Sequence, residues 1–195
     1  MQIGKIVKSN SQVDYVCQIN NPGEFSTLPQ PHDYAFGTFV RIELGNGSGY
    51  LVGLIYNTIL MNPEFGNLGP RLSPPSDLEI FSPDYLREQA TLVSILAVGQ
   101  VTRDGEIYQG VPLLAAAVNA AVETMSPGEI RHFHAPSGRL SLAYMPRLLA
   151  EKDVIAPHLL LKVVEQLIAL FPDQKRQLAV LRGNLAWKAV VTPAG

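Results

Sequence analysis

Apolar and polar positions alternate over short runs through the first half of the chain and recur at helical spacing near its C-terminus, so strands are expected before helices. Residues 3–7 and 14–19 are rich in β-branched and aromatic side chains on either side of the polar stretch KSNSQ, and read as two strands. Residues 38–44, TFVRIEL, alternate strictly. Phe39, Arg41 and Glu43 fall on one face and Val40, Ile42 and Leu44 on the other, which predicts a strand with one dry face. Residues 50–56, YLVGLIY, continue the pattern, and Gly53 inside them marks a bulge or bend of the kind that lets a sheet close into a barrel. A further strand is expected at 91–101, then a turn at Asp104-Gly105 and a short strand over 106–109.

Between the strands at 38–44 and 50–56 lies the densest glycine cluster, Gly45-Asn46-Gly47-Ser48-Gly49. A dinucleotide loop needs G-x-G-x-x-G and a following helix, but position 50 is Tyr and a strand follows. The triphosphate loop needs Gly-Lys-Ser/Thr, and the one Gly-Lys pair, Gly4-Lys5, precedes Ile6. The glycines are therefore hairpin chemistry, supplying positive φ angles. Residues 20–33 and 62–85 carry repeated prolines and read as long loops.

Helical signals dominate later. Residues 113–125, LLAAAVNAAVETM, are alanine-rich and predict a helix able to approach a neighbour closely. Ser126-Pro127-Gly128-Glu129 has the order of a capping box and predicts a short helix through EIRHFH, followed by a strand over 139–144. Residues 156–171 and 173–190 predict two amphipathic helices separated at Phe171-Pro172-Asp173, with a domain-like boundary near 146–156.

Composition narrows the function. Hydrophobic residues make up 47% and charged residues 16%, enough for a sizeable core, and a net charge of −2 implies no global attraction to polyanions. Basic residues nevertheless concentrate late: residues 1–125 hold six Lys/Arg against twelve Asp/Glu, and residues 126–195 hold nine against five. A lone cysteine, Cys17, excludes an internal disulfide and a cysteine zinc cluster, and reads as a small buried hydrophobe. With neither a secretory h-region nor an uninterrupted membrane span, the expectation is a cytoplasmic protein that does not engage a membrane.

Chemistry-bearing residues are sparse. His132 and His134 stand two apart, about 200° around a helix, where metal pairs need three or four, and no carboxylate or cysteine completes a site. No carboxylate pair stands at a spacing that implies acid/base work. Tyr34, Phe36 and Arg41, beside Phe39, could form an aromatic and basic surface for stacking bases. In the last helix Leu178, Leu181 and Leu185 share a side, with Lys175, Arg176 and Arg182 elsewhere and Trp187 as a lid or a partner anchor.

The order Gly4-Lys5-Ile6-Val7, a Pro-rich gap, GTFVRIELGNGSGYLVGLIYN and then a strand ending in VGQV resembles the HAS barrel. That domain is the N-terminal β-barrel of HerA-type DNA translocases, related to the N-terminal barrel of ATP synthase subunits. The resemblance covers residues 1–145 and implies a module that does no chemistry, forms the crown of a ring and docks partners, including a nuclease. The RecA-like motor and its phosphate loop have no counterpart in this sequence.

The fold expected is α+β: a small barrel over 1–145 with an inserted helix, then a helical hairpin over 146–195. The function expected is a non-enzymatic adaptor, without cofactor or metal, that self-associates or docks on a separate ATPase or nuclease. The alternative is a single-stranded nucleic-acid-binding barrel. Candidate contact residues for either are Tyr34, Phe36, Arg41, Arg131, His132, His134, Lys175, Arg176, Arg182 and Trp187.

Overall fold

The computed structural model describes residues 1–21, 28–62, 89–150 and 155–191. Residues 63–85 of the loop expected at 62–85 and 22–27 of that expected at 20–33 lie outside them. Among the described residues seven strands form: β1 (Gln2–Ser9), β2 (Asp14–Ile19), β3 (Phe39–Glu43), β4 (Tyr50–Met61), β5 (Ala90–Val101), β6 (Ile107–Gln109) and β7 (Ala121–Thr124). Four α-helices follow among them: α1 (Pro127–His134), α2 (Met145–Ala150), α3 (Ile155–Leu170) and α4 (Lys175–Val191). The protein is α+β, with an N-terminal barrel and a C-terminal helical hairpin.

The strand order is β2-β1-β7-β3-β4-β5-β6, every pair antiparallel, and β2 also pairs with β5. That last pairing closes six strands into a barrel. One edge of β5 serves two partners in succession: Leu92–Leu96 meets β2, and Gly99–Val101 meets β6. Closure leaves those six strands without the free edges that an open sheet would present, and β6 stays outside the ring, paired to β5 alone among the described residues.

The glycine cluster is the turn of the β3–β4 hairpin. Asn46, Gly47 and Gly49 take positive φ angles of 60°, 67° and 100°, and Leu44 N–H donates to Gly49 O at 3.0 Å. Gly53 stands at a register shift in the β4–β5 ladder, as its place in the strand predicted.

Two apolar clusters divide the core. Ile3, Cys17, Ile42, Leu51, Ile55, Ile95 and Val122, among others, fill the barrel interior. Val52, Leu54 and Val98 belong to a second cluster with residues of all four helices, so one stretch of barrel wall is buried on both faces. This corrects the expectation of a single dry face on β3: Phe39, on the supposedly wet side, is 1% exposed beneath the helices. The hairpin packs through Leu159, Val163 and Leu167 of α3 and Leu178 and Leu185 of α4, and the chain turns through 118° between the two helices. Among the described residues no single helix is long and apolar enough to cross a membrane.

Two predicted elements do not form. Residues 113–120 are not helical, and Ala121–Thr124 is strand β7, paired with β1 on one edge and β3 on the other. The alanines favour a helix by tenths of a kcal/mol per residue, roughly 0.7 at most over ordinary residues. Two strand ladders and the burial of Val122 in the barrel outweigh that. Residues 139–144 form no strand either. Their backbone is held by the Gln109 side chain, which donates to Ser141 O at 3.1 Å and accepts from Ala143 N–H at 2.7 Å, and by His134 O, which accepts from Ser141 N–H at 2.7 Å. The helix carried by the barrel region is therefore α1, whose capping box is formed: Glu129 N–H donates to the Ser126 hydroxyl and Ser126 N–H to the Glu129 carboxylate.

Candidate functional site

Arg41 projects from β3 toward β7 and α1. Its Nε donates to Glu123 Oε2 at 2.9 Å, its Nη1 to Glu129 Oε1 at 2.8 Å, and Nη2 also meets Glu123. The guanidinium lies 5.9 Å over the Tyr50 ring. The hydrogen bond to Glu123 leads in holding the Arg41 pKa above its ordinary value, against partial burial. Burial opposes ionisation of Glu129, but hydrogen bonds from Ser126 and the Arg41 charge outweigh it and hold the carboxyl below the usual range. With two carboxylates on one guanidinium, little positive charge is left for a phosphate. The groove of about 500 Å³ beside it also carries Glu43, Tyr50 and Arg103.

His134 is fully buried, which corrects its place among surface contacts. Its ring meets Phe39, Phe133 and Tyr144 edge-on at 5.0–5.7 Å. Nδ1 lies 2.8 Å from Ile130 O and Nε2 2.9 Å from the Tyr144 hydroxyl, so Nδ1–H donates and Nε2 accepts. Burial depresses its pKa to about 4, and the ring is neutral near pH 7. His132, two residues earlier on α1, faces solvent. Among the described residues no group of three or more His, Cys, Asp or Glu side chains stands where it could hold a metal ion. Cys17 lies in the barrel interior, where burial pushes its thiol up to about 12.

The remaining candidates occupy separate elements. Tyr34 is half-buried against the barrel-interior cluster, whereas Phe36 is exposed. Arg131 on α1 is exposed and its Nε donates to Leu170 O at the C-terminus of α3, a carbonyl with no partner in its own helix. Lys175, Arg176 and Arg182 are exposed on α4. Trp187, 67% exposed, borders a shallow groove of about 430 Å³ with Leu149, Leu181 and Leu185.

The most distinctive surface lies where a helix was expected. Residues 110–120 run as a strap over the barrel, pinned along their length. Gly110 N–H donates to Val98 O at 2.8 Å, Gln12 Nε2 to Pro112 O at 3.4 Å, Leu114 N–H to Gln100 Oε1 at 3.4 Å and Ala116 N–H to the Tyr15 hydroxyl at 3.2 Å. Ile6 of β1 closes the far end, accepting from Asn119 N–H at 2.8 Å and donating to Ala120 O at 2.9 Å. Ala116 and Ala120 turn inward against the barrel-interior cluster, while Val111, Leu113, Leu114 and Val118 are exposed. Leu113 reaches 76%. Residues 107–122 contain no charged side chain. That sixteen-residue gap, with Gly110 and Pro112 at its head, is the sequence signal by which the surface could have been found.

No curated protein matches the chain. The barrel agrees with the fold that the HAS resemblance implied, but the family match carries no link to HerA-type proteins. One family model spans barrel and helices together, matching residues 1–194, and the chain belongs to that family, the domain of unknown function DUF8166.

Proposed function

We propose that this chain is a non-enzymatic adaptor that docks other protein surfaces through the outside of its barrel. The observation that carries the reading is the strap: a backbone fixed by hydrogen bonds to three different strands and to Gln12, presenting apolar side chains to water. Such fixed apolar surface loses little conformational entropy on binding, the usual obstacle to tight association. Single exposed apolar residues are ordinary, but a contiguous uncharged patch of this kind marks an interaction site. The resemblance to the HAS barrel points the same way, toward a module that docks on a separate ATPase or nuclease, in DNA processing among other settings.

The rival reading, a barrel for single-stranded nucleic acid, draws on exposed Lys175, Arg176, Arg182 and Phe36. The neutralised Arg41 and half-buried Tyr34 weaken it. One experiment separates them. A photo-crosslinking amino acid is placed at Leu113 and, as control, at exposed Lys8 in cells that express the protein, while the purified chain is titrated with a fluorescent single-stranded oligonucleotide across salt. Discrete protein adducts at position 113 but not at position 8 support the adaptor. No adduct at position 113, together with oligonucleotide affinity that falls steeply with salt, overturns it.

A further inference from the structure

We infer that the strap is a self-association face, and that its occupant is a second copy of this chain placed by a two-fold axis. The inference rests on the docking reading above and names its partner. Three features carry it. The first is charge. Residues 107–122 hold none, so the strap's own side chains set no like charges against each other when two copies are brought face to face. The second is area. Tyr108, Val111, Leu113, Leu114 and Val118 are each about half to three-quarters exposed. Together they offer on the order of 500 Å² of side chain, so a symmetric pair buries ~1,000 Å², the threshold for a specific interface. The third is the sheet edge beside the strap. Among the described residues the sheet ends at β6, which carries Tyr108 opposite Gln100, the side chain that pins the strap at Leu114. Two copies of a strand edge pair antiparallel about a two-fold axis, which brings both straps to the same interface.

The test is light scattering coupled to size exclusion across about a hundredfold range of protein concentration, on the wild type and on Leu113→Glu and Val118→Glu. Both positions are mostly exposed, so the charge leaves the fold intact, and circular dichroism checks that it does. Val180→Glu, the same change at an equally exposed position on α4, serves as control. The expected result is a concentration-dependent dimer whose affinity falls at least tenfold in either charge variant and stays unchanged in the control. A wild type that remains monomeric throughout overturns the pairing and leaves the adaptor reading to the crosslinking experiment. A dimer that survives both charge variants overturns the assignment to the strap.

Discussion

Replacing Gly53 by alanine asks whether the barrel interior is filled so closely that one methyl must displace a neighbour. Gly53 lies on β4 between Leu51 and Ile55, both in the interior cluster, and opposite Ala97 on β5. Its φ is not positive, so alanine meets no backbone objection there. A Cβ at this position would stand well inside contact distance of Ile95 Cγ2, whereas the next neighbours, Leu96 O and Val40 Cγ2, lie at 3.5 Å. Overpacking a core of this kind costs about 1–3 kcal/mol. The smaller unfolded-state entropy of alanine offsets ~0.4–1 kcal/mol of that. The net expectation is a loss of about 1–2 kcal/mol, or a melting temperature lower by roughly 2–8 °C for a chain of this length. Because the clash is with a single methyl group, Ile95→Ala removes it. Alone, that substitution costs ~2–5 kcal/mol through the cavity it leaves. Combined with Gly53→Ala, the two losses should fall short of their sum by about 1 kcal/mol. Urea and thermal unfolding of the four proteins by circular dichroism measures this cycle. Losses that add within ~0.5 kcal/mol, or a Gly53→Ala protein as stable as the wild type, would refute the packing argument.

The neutral buried His134 makes stability fall with acid. Its folded pKa of about 4 lies below the ordinary histidine value, so the unfolded chain takes up the proton first, and stability present at neutral pH is lost as pH drops from about 6.5 toward 4. Unfolding free energy should decline by about 2 kcal/mol between roughly pH 7.5 and 5. Replacement of His134 by glutamine should flatten that slope, and an unchanged slope would remove His134 as its source. Cys17, with its thiol pushed up to about 12 in the barrel interior, should resist a disulfide reagent in the native protein and react at once in denaturant. Fast native labelling would show that the barrel opens. Trp187 is the only tryptophan and is 67% exposed, so its fluorescence should be solvent-like and readily quenched by acrylamide. A blue-shifted, protected emission would mean that this face of α4 is covered in solution.

Local chemistry wrote several elements directly into the sequence. The β3–β4 hairpin follows from alternation on both sides of a glycine turn, and α1 from a capping box whose two hydrogen bonds join residues three apart. The α3–α4 hairpin follows from Leu159, Val163 and Leu167 at helical spacing before Pro172 and from a narrower stripe of Leu178, Leu181 and Leu185 after it. Each depends on interactions within a few residues, which a linear reading captures. His132 and His134 also separate as helical geometry requires, although the burial of His134 was not legible, because Phe39 and Tyr144 come to it from elsewhere in the chain.

Tertiary structure decided the rest. Whether Phe39 is wet or dry depends on helices more than eighty residues later in the sequence, packing on the outer wall of the barrel. The alanine run at 113–121 has helical propensity, yet its backbone groups find partners on Ile6, Tyr15 and Gln100, and strand β7 at its end completes the barrel between β1 and β3. The strap surface exists only because of that choice. A helix would have satisfied its own backbone and turned its apolar residues around an axis. Pinned across the barrel instead, the same residues send Ala116 and Ala120 inward and Leu113, Leu114 and Val118 outward. Composition and period set which elements were available. The closure of six strands, which no residue could register alone, determined which of them formed and which apolar side chains were left in water.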